Sequence, residues 1–573
     1  MEQKTLGNYN RWLESAVVSE EDRKILKTMD DKTIDEAFFK DIEFGTGGLR
    51  GILGPGTNRM NSFTVKRVTI ALGLYLLKYH QHAQSKGVAI SHDNRHFSRE
   101  FALESSEILN EMGIKTYIFD SLRPTPELSY AVRYNHCDAG IMITASHNPK
   151  EYNGFKVYDE TGCQMVPYKI NPLIDIIKSL PNELEVEIPK ASERGEQVLL
   201  EKDVDDSYVE LCEGVQENPD LDKKGFKIVY TPNHGTSFVN AMRVFKDCGY
   251  EVYPVEKQCA PDPDFSGTLS PNPEDQRSYI EPIKLAQEID ADLICMTDPD
   301  GDRVGLACKV APGKYETLTG NESAAILIDY LFSERKKKGT LSRFGILFNT
   351  VVSSDIGRKI ASSYNIKTEQ LLTGFKFIGD RINYYDIHKD FVYEFGYEES
   401  YGCLPKPFVR DKDGIQAILL YCEMALFYHL QGINLVEAYK NLGLRFGYHK
   451  NKLFDIALKG SSGAKKMEDI MNKVINIPFN ELNGKKVTRF EDYFGRKRYD
   501  FLKGTIEDIT NLPVGDLVKY YLEDQTSICI RPSGTEPKIK FYIECVFNDP
   551  EVANEKCDQY YDHLLELLDI KNK

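Results

Sequence analysis

The apolar runs of this chain follow one pattern three times. VAIS (88–91) reads as a strand, Ser98 stands ready to cap a helix, and Phe101, Ile108 and Met112 fall on one helical face that Gly113 ends. TYIFD (116–120) predicts the next strand, 125–137 a helix, and AGIMITA (139–145) a third strand. The same β-α-β-α-β order returns with FKIVY (226–230), a helix near 236–248, EVYPV (251–255), a helix near 277–289 and DLICMT (292–297). It appears again with FGILFNT (344–350), a helix near 354–364, EQLL (369–372), a helix near 376–386 and FVYEF (391–395), followed by a long apolar helix, GIQAILLYCEMALFYHLQG. Such an order implies mostly parallel sheets covered on both faces. The tail differs: SICIRP and KIKFYIECVF predict paired strands, with a helix in 550–570.

The predicted fold is therefore α/β, with three similar mixed or parallel-sheet domains and a C-terminal α+β domain around one central cleft. The expected divisions are 1–203, 204–320, 321–445 and 446–573. In each repeat the third strand runs into an unusual polar loop: ASHNPKEYNGFK, DPDGDR and GYEESYG. Ligands of open α/β sheets bind beyond the carboxyl ends of strands, so three such loops predict a jointly built site.

Length and composition agree with several domains rather than one: 573 residues, 41% hydrophobic and 28% charged. A formal charge of −16 argues against general affinity for nucleic acid or anionic membranes, so a site for an anion must be local. The 12 cysteines show no CxxC pair and no metal-ligand spacing, which reads as buried, reduced thiols of a cytoplasmic protein. The opening MEQKTLGNYNRWLE has no signal-peptide core, and no run approaches the ~18 apolar residues of a membrane span. No obligate protein partner is evident.

DPDGDR sets Asp298, Asp300 and Asp302 within five residues at a strand end. Three carboxylates at one point repel unless a cation offsets them, and oxygen-only ligation suits magnesium, manganese or calcium rather than zinc. An EF-hand reading fails, because its sixth position is Arg303 rather than glycine and its twelfth is Lys309 rather than glutamate. Ser146, in TASHNPKEYNGFK, is expected at the exposed end of its strand. It is a phosphorylated nucleophile, an acyl-transfer nucleophile or a capping hydroxyl; GxSxG is absent, which disfavours acyl transfer. A phosphoserine beside a carboxylate-bound metal makes chemical sense, since the metal neutralises charge during transfer. Lys156, in the same loop, is an acid/base or phosphate contact, and His147 orients the serine or is structural. GTGGLRG (45–51) offers a glycine-rich turn with Arg50 as a phosphate nest. RPSGTEPK (531–538) supplies Arg531, Ser533, Gly534 and Thr535 for a phosphate that does not react. Glu398 and Ser400 in GYEESYG suit vicinal hydroxyls.

TASHNP, DPDGDR, GYEES and RPSGTEP in this order resemble the α-D-phosphohexomutase superfamily over essentially the whole chain. GTGGLRG, TPNHGTS (231–237) and TGFKFIG (373–379) look more like its phosphoglucomutase-2/phosphopentomutase branch. The resemblance implies a heart-shaped, four-domain, magnesium-dependent mutase in which Ser146 carries the phosphoryl group. Asp298, Asp300 and Asp302 would bind the metal together with a phosphoserine oxygen. Arg303, Arg50 and Lys156 would line the reaction centre, Lys376 would belong to the specificity loop, and Arg531, Ser533 and Thr535 would hold the distal phosphate. The implied reaction interconverts glucose 1-phosphate and glucose 6-phosphate through glucose 1,6-bisphosphate, which also primes the enzyme. Pentose-phosphate mutase, mannose-phosphate mutase and hexose 1,6-bisphosphate synthase are the rivals, and a non-catalytic sugar-phosphate sensor is a remote one. Three positions depart from the pattern. Tyr397 sits inside what is often GEES, Gly47 replaces a common serine, and Cys403 stands where some relatives carry a proton-transferring histidine.

Overall fold

Strands β1 (Leu49–Ile52), β2 (Val88–His92), β3 (Thr116–Phe119), β4 (Ala139–Ile143), β5 (Tyr152–Asp159) and β6 (Gln197–Leu200) make the first sheet, in the order β1-β5-β4-β2-β3-β6. The computed structural model describes residues 3–45, 48–458, 460–476, 478–532 and 538–570. Every residue of β2 and β4 is buried, as expected of strands covered on both faces. β2 pairs in parallel with β3 and β4, but β5 returns antiparallel to β4, Met142 opposite Lys156, and β1 is antiparallel to β5. Helices Ser62–Tyr79 and Ser98–Glu111 bury Val68, Leu72, Phe101 and Leu109 in the same core as Ile90 and Ile141. Ser98 is the first residue of its helix rather than the cap. Phe97 caps in a left-handed conformation, and the Ser98 hydroxyl donates to Asp93 Oδ1 at 2.6 Å.

The second sheet repeats the plan. β7 (Lys227–Thr231), β8 (Glu251–Pro254), β9 (Leu293–Thr297), β10 (Val304–Ala311) and β11 (Lys314–Leu318) run β11-β10-β9-β7-β8. β7 is parallel to β8 and β9, and the chain then doubles back antiparallel into β10. After β12 (Gly345–Thr350) and β13 (Lys367–Leu371), β14 (Val392–Tyr397) turns back into β15 (Cys403–Leu404). Each polar loop anticipated from the sequence is thus the turn of an antiparallel hairpin. The apolar helix Gly414–His429 is buried along most of its length, and Asp413 caps it by accepting from Ile415 N and Gln416 N.

Two compact units emerge. The first comprises Met1–Gly320, Glu334–Ile346 and Gly374–Asn434, and the second Asn321–Ser333, Leu347–Thr373 and Leu435–Lys573. The second contains β16 (Tyr448–Ala457), β17 (Glu481–Leu482), β18 (Lys485–Asp492), β19 (Lys497–Asp500), β20 (Thr505–Asp508), β21 (Val518–Leu522), β22 (Ser527–Pro532) and β23 (Lys538–Phe547). Their order is β16-β23-β22-β21-β18-β19-β20, with β17 beside β18. Helix Pro550–Leu567 buries Tyr560 and Leu564 against Ile528, Ile539 and Phe541, the α+β arrangement expected of the tail. At the start of the chain, helices Gln3–Glu14, Glu20–Thr28 and Asp31–Phe38 enclose Trp12, whose Nε1 donates to Glu183 Oε1 at 2.7 Å. Among the described residues no helix is long and apolar enough to cross a membrane.

Candidate active site

DPDGDR is the turn between β9 and β10. Asp298 Oδ1 accepts from the backbone N–H groups of Asp302 and Arg303, at 3.1 and 3.0 Å, which curls the turn around its first carboxylate. Gly301 has φ +70, and a Cβ there would meet Pro124 Cβ at 2.8 Å, so glycine is required on both grounds. TPNHGTS cradles the turn from outside. Thr236 N donates to Pro299 O at 2.8 Å, and Gly235 packs so closely that a Cβ would sit 2.4 Å from Pro299. From the other side Thr125 holds Asp300 twice, with N–H to the backbone O at 2.8 Å and Oγ1 to Oδ2 at 3.0 Å.

One oxygen from each of Asp298, Asp300 and Asp302 lies within 4.8 Å of the other two, and all three residues are buried. Burial and the neighbouring carboxylates push Asp298 well above the ordinary carboxylate range, and push Asp302 up as well. Burial opposes ionisation of Asp300 too, but Lys156 and its hydrogen bond hold that carboxyl below the range. Asp300 Oδ1 and Asp302 Oδ1 are buried with no hydrogen-bond partner. Crowded, desolvated, oxygen-only and partly unsatisfied, the cluster fits a hard divalent cation.

Ser146 lies in the turn between β4 and β5 and is buried, not exposed as the sequence suggested, because the hairpin folds it inward. Its φ is +52, a left-handed value uncommon outside glycine, and Thr144 Oγ1 accepts its N–H at 2.8 Å. The hydroxyl donates to Asp298 Oδ2 at 2.8 Å and lies 3.1 Å from His147 Nδ1. Burial, with Arg303 and Arg50 nearby, lowers His147 well below the ordinary imidazole range.

Lys156 is on strand β5 rather than in the loop, since the chain is already pairing with β4 there. Its Nζ is 2.8 Å from Asp300 Oδ2 and 3.9 Å from Asp302 Oδ2. Arg50 likewise belongs to a strand, β1, and its Nη1 donates to Asn148 Oδ1 at 3.2 Å. Thr46 and Gly47 of that glycine-rich stretch lie outside the described residues. Gly48 serves close packing there, for a Cβ would stand 2.2 Å from Phe155 O. Arg303 pairs with Glu274 at 2.7 Å, with Nε 3.8 Å from Asp302 Oδ1. Buried Glu398 accepts from Gly374 N at 2.9 Å, and half-buried Ser400 comes next but one in the same turn. Lys376 is buried at the start of helix Phe375–His388.

Sequence reasoning missed Lys412. Its Nζ lies 3.1 Å from Asp302 Oδ2, 3.2 Å from Asp411 Oδ1 and 3.8 Å from Glu398 Oε2, so it joins the aspartate cluster to the GYEES turn. The signal was VRDKDG, a charged stretch immediately before a wholly apolar helix. Thr125 and Glu274 carried no such mark. Cys403 is buried with its thiol pushed up to about 12 by burial, so it cannot stand in for a proton-transferring histidine. Arg531 belongs to the second unit, on β22, where Nη1 donates to Thr373 Oγ1 at 2.5 Å and Nη2 is 3.3 Å from Asp516 Oδ2. Ser533, Gly534 and Thr535 lie outside the described residues.

Four family models match in sequence. These are the phosphoglucomutase/phosphomannomutase alpha/beta/alpha domains I (41–183), II (206–312) and III (319–442) and the C-terminal domain (474–558). A phosphoglucomutase of Staphylococcus epidermidis is 36% identical over 518 residues, 90% of this chain and 92% of that protein. A phosphoglucomutase of Staphylococcus aureus is 36% identical over 510 residues, 89% and 90% of the two chains. Two crystal structures share the fold. One is a phosphoglucomutase/phosphomannomutase family protein from Burkholderia thailandensis (TM-score 0.64, 16% identity, 92% of this chain and 98% of that one). The other is the open form of pp63/parafusin, a phosphoglucomutase from Paramecium (TM-score 0.66, 18% identity, 92% and 95%). With matches to all four domains and more than a third of positions identical across nine-tenths of its length, this chain belongs to the phosphoglucomutase/phosphomannomutase family.

Proposed function

We propose that this enzyme interconverts α-D-glucose 1-phosphate and glucose 6-phosphate through a phosphoserine at Ser146. The observation that carries the reading is the Ser146 hydroxyl donating to Asp298 inside a buried three-aspartate cluster. In the first half-reaction the Oγ–P bond of phosphoserine breaks, a bond forms to the free sugar hydroxyl, and glucose 1,6-bisphosphate results. The bisphosphate then reorients and its other phosphoryl group returns to Oγ. Lys156 is the proton-transfer candidate, being a buried amine beside the cluster. Arg50, Arg303 and His147, the last 3.1 Å from the serine oxygen, are proposed to bind or orient the transferring group. Asp298, Asp300 and Asp302 would hold one Mg2+ per site, which when bound neutralises charge on the phosphoryl oxygens.

Glu398 and Ser400 are proposed for the sugar hydroxyls, Lys376 for specificity, and Arg531, Ser533, Gly534 and Thr535 for the distal phosphate. Glucose 1,6-bisphosphate is the proposed primer of dephosphorylated enzyme, the cytoplasm the proposed location, and 1–203, 204–320, 321–445 and 446–573 the proposed functional divisions. Measuring kcat/KM on glucose, mannose and ribose 1-phosphates side by side tests the reading. A preference for glucose supports it, and a preference for mannose or ribose reassigns the enzyme within its family.

A further inference from the structure

A single buried guanidinium gathers the backbone of the serine loop. Arg95 Nη2 donates to the carbonyls of Ser146 at 2.6 Å and Asn148 at 2.5 Å, and Nη1 to those of Pro149 at 2.8 Å and Tyr152 at 3.1 Å. Its side chain has no solvent exposure, and its Nε lies 3.2 Å from Asp93 Oδ2. Asp93 Oδ1 in turn accepts from Arg95 N at 2.9 Å and from the Ser98 hydroxyl. The ring of Phe265 closes the other side, 5.1 Å from the guanidinium carbon.

Burying a cation is costly unless its donors are satisfied, and here the acceptors are carbonyls of the one stretch that carries Ser146. That stretch needs an anchor. Ser146 is held at φ +52, a strained conformation for such a residue that persists only where the surroundings over-determine it. The local bonds, Ser146 N to Thr144 Oγ1, Asn148 N to Ala145 O and Tyr152 N to Pro149 O, shape the turn but do not use the Ser146 and Asn148 carbonyls, which Arg95 takes. Lysine could not replace the fork, since one ammonium cannot span four carbonyls along 146–152.

We propose that Arg95 is a positioning residue for Ser146: its guanidinium pins the loop carbonyls so that the left-handed backbone presents the serine oxygen to Asp298 and to the phosphoryl group. Arg95 contacts the serine only through its backbone, so it acts on placement rather than on bond-making. The catalytic part of this inference rests on the mutase reading above; the clamp does not.

The test compares the full-length enzyme with Arg95→Lys, by amide hydrogen exchange of the 144–153 peptide and by steady-state kinetics on glucose 1-phosphate with bisphosphate primer. Exchange should rise in that peptide while Trp12 fluorescence is unchanged. The kcat should fall on the order of 100-fold, the usual cost of a ~1 Å misplacement, with KM moving less than about threefold. If Arg95→Lys does not fold, Asp93→Asn should give the same split at about tenfold, because it loosens the guanidinium without removing it. Unchanged exchange in 144–153, or a kcat within about twofold of wild type, overturns the proposal. If the wild-type enzyme does not convert glucose phosphates, the functional reading fails alone, and hydrogen exchange still decides the clamp.

Discussion

Ser146 and Asp298 are 152 positions apart in sequence, yet the serine Oγ donates to the aspartate Oδ2 at 2.8 Å. The bond exists only while the serine is unmodified. Once the oxygen carries a phosphate it has no proton to give, and two anionic groups face each other in a buried place. A cation between them removes that conflict, which is why the serine and the aspartates make chemical sense only together.

Ser146→Ala should therefore lower mutase turnover by more than about 1000-fold, as loss of a covalent nucleophile does. Peptide mass mapping of wild type should find a phosphate on Ser146. Near-normal turnover in the alanine variant would exclude the phosphoserine route.

Removing the metal tests the other half of the pair. Asp300→Asn should cut kcat by about 100- to 1000-fold, a typical effect of losing one preorganised electrostatic contact. Adding Mg2+ to chelator-treated protein should raise Tm, because a ligand that binds only the folded state stabilises it. A melting temperature indifferent to Mg2+ would count against the site whatever the activity.

Much of this was legible in the sequence, and the exceptions have common physical causes. Apolar strands such as AGIMI and LICMT are visible because burial on both faces demands uninterrupted hydrophobic runs. The polar stretches after them look like loops, yet each is a short turn that leads straight into a returning strand. Lys156 lies in such a strand, whose pairing with β4 is set by register, which local composition does not encode. The exposed end assigned to Ser146 failed for the same reason, since the hairpin buries its own turn. Lys412, Thr125 and Arg95 were missed because each acts through a long-range contact. The three N-terminal helices were overlooked although Ser19 and Asp30 cap two of them, accepting from Asp22 N and Thr33 N.

Arg531 offers a test that stays within the second unit. Its fork already engages Thr373 and lies near Asp516, so it is held in place before any ligand arrives. Arg531→Ala removes a charge-assisted, bidentate donor, of order 2–3 kcal/mol, and should lower kcat/KM for sugar phosphates roughly 30- to 150-fold. Phosphorylation of Ser146 by glucose 1,6-bisphosphate should weaken but persist. Unchanged kinetics would put the distal phosphate elsewhere.

Each of the 12 cysteines carries a thiol, and all but Cys248 are buried. Burial pushes the Cys248 thiol up to about 11 and that of Cys137 to about 12. Because the thiolate is the nucleophile, native enzyme at neutral pH should react slowly with a disulfide reagent and at about one thiol, with all reacting after denaturation. Rapid titration of several thiols in the native state would contradict the packing described.

Asp413 makes the stability of the fold depend on pH. It caps the buried helix Gly414–His429 and accepts from Tyr208 Oη at 2.9 Å and Gln416 Nε2 at 2.8 Å. Burial pushes its carboxyl up to about 6, although those donors and the backbone N–H groups of Ile415 and Gln416 pull the other way. A carboxyl raised in the folded state favours folding while it is protonated. That contribution is complete below the unfolded value near 3.8 and is lost as pH climbs through about 6. The loss amounts to ~2 kcal/mol between pH 4 and pH 7, from 1.36 kcal/mol per unit of pKa shift less the part already lost below pH 4. Asp413→Asn keeps an oxygen to cap the helix but cannot ionise. Its amide also meets the Gln416 donor less well, so the variant should be the less stable protein at pH 4. As pH rises to 7 the wild type loses what the asparagine variant keeps, and the gap in Tm should narrow or reverse. Melting curves of both proteins at half-unit steps would show this directly. A Tm difference that stays constant from pH 4 to pH 7 would mean that Asp413 is ionised throughout, its cap hydrogen bonds outweighing burial.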